Sequence, residues 1–337
     1  MKPLTPKRLA AVCGILLGVL LVVSIISLKL GAVPIQLTDV LVSLWKRVVS
    51  GVPIPSEFTL FLGEIRLPRI LLGMIVGAAL AVAGAGFQAL LRNPLADPYV
   101  LGVSSGAALG AIISLIVASR ATIATPLAAF VGAGATIAAV YFLGRRGGQL
   151  DSYTLLLGGI ITASFLSAVI MFLMTTLRGG ELRGMAFWLM GDLSSPLPMD
   201  LGWLFLVLVV AVGFIYTTAA DLNLLLAGEQ EAMHLGVDVG RVKLVVYVCA
   251  SVLTGLAVSV SGAIGYVGLL VPHAMRLLFG SDYRLLIPAT AIGGAIAVVA
   301  ADTLARTIAY PTELPVGAMT AMAGAPMFIY LLRRRMP

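Results

Sequence analysis

The residues able to do chemistry are few. The chain has two histidines, His234 and His273, and two cysteines, Cys13 and Cys249. The histidines are too far apart for a metal-site spacing. Both cysteines lie in apolar runs, where they read as small hydrophobes rather than a disulfide or metal framework. None of the lysines falls in a G-x-x-x-x-G-K-[ST] phosphate loop, so ATP hydrolysis by that route is excluded. No nucleophile–base pair or ligand cluster stands out, and the chain reads as neither an enzyme nor the holder of a resident cofactor.

Four segments carry the polar chemistry that remains. Asp302 and Arg306 stand four residues apart in an apolar run, at the spacing of a helical ion pair. Arg66 and Arg69 flank Pro68, which suits a first helical turn and would project both guanidinium groups together. Such a pair suits carboxylates on a partner, or else snorkels to lipid headgroups. The stretch from Arg92 to Gly106 combines two prolines, Asn93, Asp97 and glycines between apolar runs. It is either a tight turn or broken backbone packed at membrane depth. Residues 220–241 hold Leu225, Ala232, Met233 and Leu235 among Asp221, Glu229, Glu231 and Asp238, with Gly228 and Gly236 placed to separate two short helices. A knob of that kind suits a groove on a soluble partner, or is a solvated linker. His234 reads as a surface residue.

The elements that must position these groups follow from composition. The 337 residues are 60% hydrophobic and 11% charged, with mean hydropathy +1.07, against about 25% charged for a soluble domain. The reading is an all-α, polytopic membrane protein, a single permease domain over 1–337. Long Leu/Ala/Val-rich runs exclude the alternation of a barrel. Runs of the roughly 20 residues a span requires occur at about 9–30, 70–91, 100–118, 122–143, 153–177, 201–219, 242–260, 264–278, 286–308 and 314–332. The eighth is short and carries Pro272. The first is too long for a signal-peptide core and reads as an uncleaved span. A net charge of +7 is dispersed between the runs, which reads as topology rather than nucleic-acid binding. With both termini inside, the strongest clusters (Lys2, Lys7 and Arg8; Arg145 and Arg146; Arg333 to Arg335) are cytoplasmic, as the positive-inside rule requires. Residues 31–69, with Pro34, Pro53 and Pro55, then form an outer loop. The 178–200 segment, with Met185, Phe187, Trp188 and Met190, suits an outer amphipathic helix. A faint echo relates Leu80-Ala81-Val82 through Pro94 to Leu256-Ala257-Val258 through Pro272, a hint of inverted halves. Few carboxylates fall in the runs, so energy is expected from outside the polypeptide; the alternative is an ion-coupled secondary transporter of a small solute. Missing His, Cys and carboxylate ligands favour a preassembled chelate over a bare metal ion.

These segments resemble the FecCD/BtuC family, permease subunits of type II ATP-binding cassette (ABC) importers for iron–siderophore complexes, haem and vitamin B12. The resemblance rests on Arg66-Leu67-Pro68-Arg69, on Asn93-Pro94-Leu95-Ala96-Asp97-Pro98 with Leu101-Gly102-Val103-Ser104-Ser105-Gly106, and on Ala227-Gly228-Glu229 through Leu235-Gly236. It extends through Gly262-Ala263-Ile264-Gly265-Tyr266-Val267-Gly268-Leu269 with Val271-Pro272-His273, then Asp302 with Arg306, Glu313-Leu314-Pro315-Val316-Gly317 and Gly324-Ala325-Pro326. It implies ten helices with inverted halves (spans two to five and seven to ten), a homodimer, a cytoplasmic ABC ATPase dimer, a periplasmic substrate-binding protein and a bacterial inner-membrane location. It further implies docking of the binding protein at Arg66, Arg69 and Arg306, and an ATPase coupling loop carrying Leu225, Gly228, Glu229, Ala232, Leu235 and Gly236. The family's cytoplasmic gate aligns with Ser152 and Tyr153, where Tyr153 departs from the family's small hydroxyl residues. Met171, Met174, Met319 and Met322, at helical spacing, either line an adaptable path or pack ordinarily.

Overall fold

The computed structural model describes residues 4–30, 65–117, 124–146, 149–177, 179–194, 200–309 and 312–335. Of the expected outer loop 31–69, residues 31–64, with Pro34, Pro53, Pro55 and Glu64, lie outside the described residues, as do Lys2 and Arg178, while Leu67 to Arg69 already form the first turn of a helix.

Among the described residues, ten apolar helices match the ten expected runs. They are α1 (Pro6–Lys29), α2 (Leu67–Leu90), α3 (Val103–Val117), α4 (Ala124–Gly144), α5 (Ser152–Met174), α7 (Leu201–Thr217), α10 (Val239–Ser261), α11 (Val267–Phe279), α12 (Tyr283–Thr307) and α13 (Val316–Arg335). Three shorter helices join them: α6 (Gly179–Leu189), α8 (Ala219–Leu225) and α9 (Glu229–His234). Among the described residues, six helices are long and apolar enough to cross a membrane alone, and α7 with α8 passes the same test together across a 51° bend. Helices α3 and α11 are shorter than a span. A two-residue antiparallel hairpin, β1 (Arg145–Arg146) with β2 (Gln149–Leu150), precedes α5 and had no hydropathy signature.

Helix α2 is the central pillar, with 89% of its most apolar stretch buried, whereas α1 and α5 have 17%. Its sequence explains its place. In lipid, helices are drawn together by close packing rather than by hydrophobicity, so small residues mark the contacts. Gly77 of α2 lies against the backbone of Gly294 in α12, and Gly84 lies against Gly268 in α11; a Cβ on either would collide with backbone oxygen. Peripheral α1, α5 and α7 instead expose large apolar side chains such as Ile15, Phe165 and Trp203. That surface suits hydrocarbon.

Among the described residues, many polar side chains serve the backbone. Asp97, Asp151, Asp200, Asp238 and Asp282 each cap a helix N-terminus, accepting from a main-chain N–H at 2.8–3.0 Å. Of the Arg92–Gly106 stretch, Arg92, Pro94 and Leu95 are exposed, while the part from Ala96 to Gly106 is packed within protein. Asp97 caps a 3₁₀ turn, Pro98–Leu101, and Gly102 at φ 77° leads into α3. The Tyr99 hydroxyl both donates to the Ile264 carbonyl and accepts from the Ile264 N–H, each at 3.0 Å. It thus satisfies the chain break between α10 and α11. A second repair involves Pro272 inside α11, which lacks the N–H that the Gly268 carbonyl would receive. Gln88 of α2 fills the gap, its Nε2 donating to the Leu269 carbonyl at 3.2 Å and the Gly268 carbonyl at 3.4 Å. Its Oε1 accepts from Arg276 at 3.2 Å.

Candidate functional site

The polar chemistry gathers at the two ends of α2, roughly 35 Å apart at 1.5 Å of rise per residue. At the first end Arg69 reaches across to α12. Its Nε donates to Asp302 Oδ1 at 2.9 Å and its Nη1 to Glu313 Oε2 at 2.8 Å. Asp302 Oδ2 lies 3.0 Å from Arg306 Nε, the ion pair expected at that spacing. One carboxylate therefore serves two guanidinium groups, and all three side chains are less than 10% exposed, whereas Glu313 is 47% exposed.

The same arginines close the end of α1. The last carbonyls of a helix have no partner within it. Arg66 Nη1 donates to the Leu28 carbonyl at 2.8 Å, and Arg306 Nη2 donates to Ser27 Oγ at 2.8 Å. Arg66 is buried, and burial, then the Arg306 charge, lowers its guanidinium below its ordinary value. The family resemblance implies docking of a binding protein at Arg66, Arg69 and Arg306; within this chain the three side chains pin α1, α2, α12 and the segment carrying Glu313 together. In the sequence Glu313 stands out only as part of a motif.

At the other end, α8 and α9 form the expected knob, bracketed by Gly228 at φ 141° and Gly236 at φ 86°. Only glycine adopts such values without strain. Leu225 and Ala232 are buried inside the knob, because they pack it onto the bundle. Leu226, Met233 and Leu235 form its exposed apolar surface, and Leu226 was missed in the sequence. Glu229 pairs with Lys243 of α10, Oε1 to Nζ at 2.7 Å. Asn223 of α8 donates to Asp282 Oδ1 at 2.8 Å and accepts from the Tyr283 N–H at 2.9 Å. Hydrogen bonding from Arg284, and then from Asn223, outweighs burial and holds Asp282 down at about 2. Ser152 Oγ donates to the Leu90 carbonyl at 3.0 Å, and Tyr153 is largely exposed.

The four methionines separate. Met171 and Met322 are each 72% exposed, while Met174 and Met319 pack on the core. Met319 also borders an apolar cavity of about 380 Å³ between α11, α12 and α13, with Tyr266, Leu270, Met275 and Met327. Among the described residues no group of three or more His, Cys, Asp or Glu side chains is placed to hold a metal ion.

This architecture and its sequence match a known pattern: the FecCD transport family pattern covers residues 19–334. The chain belongs to the FecCD transport family. It is 46% identical over 282 residues to the cobalamin import system permease protein BtuC of Halobacterium salinarum, covering 84% of this chain and 76% of that one. It is 41% identical over 286 residues to the hemin transport system permease protein HmuU of Yersinia pestis, covering 81% and 83%. A solved structure described as an inward-facing metal-chelate type ABC transporter superposes with TM-score 0.81 at 29% identity, covering 96% of this chain and 99% of the other. The FecCD chain is thus an ABC transporter permease with several membrane-spanning helices.

Proposed function

We propose that this permease is the translocation subunit of a type II ABC importer, carrying a preassembled iron chelate, haem or corrinoid into the cytoplasm. Two copies form the pathway in the bacterial inner membrane, with both termini cytoplasmic. An ABC ATPase dimer docks against α8–α9 and supplies the energy, and a periplasmic binding protein delivers cargo at the Arg69 end. The observation that carries this reading is the division of polar chemistry between the ends of an apolar pillar. Buried guanidinium groups sharing the Asp302 carboxylate lie at one end of α2, and an exposed knob of Leu226, Met233 and Leu235 lies at the other.

At the docking end, a partner carboxylate takes the place of half-exposed Glu313 on Arg69, a bidentate geometry that guanidinium favours. Arg66 and Arg306 supply the surrounding positive field. At the knob, the acidic and apolar surface enters a groove on the ATPase. Ser152 and Tyr153 form the cytoplasmic gate where α5 begins, and Met171 and Met322 face the path between the copies. No bond is made or broken in this subunit.

The test is uptake into proteoliposomes holding the permease, its ATPase and its binding protein, with ATP supplied on the knob side. Cobalamin, hemin and ferric citrate are offered separately. Saturable uptake of one of them, lost when the binding protein is omitted, is expected. Uptake of none, or uptake that ignores the binding protein, overturns the reading.

A further inference from the structure

Lys243 is nearly as buried as the hydrophobic core around it, with 8% of its side chain exposed. A buried ammonium demands partners, and both of those found here lie on other elements. Nζ is 2.7 Å from Glu229 Oε1 on α9 and donates to the Leu150 carbonyl of β2 at 3.1 Å. Leu150 stands two residues before Ser152, where α5 begins. Between them Asp151 donates its N–H to the Gly144 carbonyl at 3.0 Å and caps α5 by accepting from the Thr154 N–H at 2.8 Å. Ser152 then ties to Leu90 at the end of α2. An unbroken run of charge-assisted and main-chain bonds thus leads from the knob to the first turn of α5.

A purely stabilising role does not call for this chemistry. A buried ion pair is often no better for stability than a packed apolar side chain of similar volume. What the pair adds is direction: the ammonium grips one group on each of two elements that do not otherwise share it. The second link out of the knob, Asn223 to Asp282 and Tyr283, ends on α12 and does not reach α5.

We propose that Lys243 is a positioning residue that passes movement of α9 to the start of α5, through Glu229 on one side and the Leu150 carbonyl on the other. The proposal rests on the reading of α8–α9 as the ATPase-coupled loop and of Ser152 and Tyr153 as a gate.

The experiment uses the complete importer in proteoliposomes and measures cargo moved per ATP hydrolysed. The probe is whichever of cobalamin, hemin or ferric citrate the unaltered complex accumulates. Lys243→Met keeps the volume and removes both bonds. Its complex is expected to hold the ATPase in the usual ratio and to keep hydrolysing ATP, while cargo per ATP falls about tenfold. Lys243→Arg, which can still bridge both acceptors, recovers most of the ratio. Glu229→Gln keeps the shape without the charge and gives an intermediate loss, and it carries the test alone if Lys243→Met does not reach the membrane. An unchanged ratio in Lys243→Met, or in Glu229→Gln where that carries the test, overturns the proposal. So does a loss of ATPase assembly equal in the Met and Arg variants. Absence of ATP-driven uptake by the unaltered complex strikes instead at the proposed function.

Discussion

Replacing Asp302 by Asn isolates the charge balance at the Arg69 end. In the folded chain Arg69 and Arg306 share Asp302, and Arg69 also pairs with Glu313. Asp302→Asn strips both Arg69 and Arg306 of a carboxylate at 2.9 and 3.0 Å. Breaking a buried pair by deleting one partner costs about 3–5 kcal/mol, because the remaining charge stays desolvated. Glu313 offers the internal control. It binds the same Arg69 but is half exposed, and a pair of that kind is worth about 0–1 kcal/mol. The assay is denaturant titration of the purified permease in mild detergent, read by tryptophan fluorescence for Asp302→Asn, Glu313→Gln and the unaltered chain. The expected order is a large loss for Asp302→Asn and a small one for Glu313→Gln. A double variant, Asp302→Leu with Arg306→Met, should regain part of the loss through apolar packing. Equal midpoints for the two single variants would refute the burial argument. So would a double variant less stable than Asp302→Leu alone.

Gly84→Val places side-chain carbons against the Gly268 backbone where α2 crosses α11; membrane-inserted protein in an expression trial is expected to fall sharply, while Gly213→Val, at a glycine with open space around it, leaves the yield unchanged. Gln88→Leu strands the Gly268 carbonyl that Pro272 leaves unpaired and costs about 1–3 kcal/mol in the same titration; an unchanged midpoint contradicts that repair. Asp282 is held near 2, against about 4 for a free carboxylate. Its stabilisation is therefore complete above about pH 4 and fades as pH falls from there towards 2, so the gap between the unaltered chain and Asp282→Asn should be constant from pH 7 to 5 and close below 4. Leu235→Glu with Met233→Glu on the exposed face of the knob should leave the midpoint unchanged and weaken co-purification with the ATPase by about tenfold. Retained co-purification would move the docking surface elsewhere.

Hydropathy reveals ten runs because a lipid-exposed helix must be apolar around its whole circumference, and α1, α5 and α7 stand out on that ground alone. It carries less about α11, whose 13 residues begin three positions later than the run suggested. The break before α11 is set by Tyr99, 165 residues away, and chain-distant partners leave no local pattern. The same limit applies to Gln88, which reads as an ordinary polar residue in a span until Pro272 of another helix is placed beside it. Asp302 and Arg306 were legible as a pair because helical spacing is local. The capture of Asp302 by Arg69 was not, since it depends on α2 crossing α12 at Gly77 and Gly294. The two glycines bracketing α9 were informative for a local reason as well, because their backbone angles exclude other residues. Which apolar side chains of the knob face outward depended on its packing against the bundle, which buries Leu225 and leaves Leu226 exposed.

The central claim is that this permease is a conduit whose energy comes from a separate ATPase. The most direct test compares two sets of vesicles, one holding the permease alone under an imposed proton gradient, the other holding the complete importer with ATP. Accumulation of cobalamin, hemin or ferric citrate against its gradient is expected only in the second set, and it should persist when the proton gradient is collapsed. Uphill accumulation in the first set would contradict the claim.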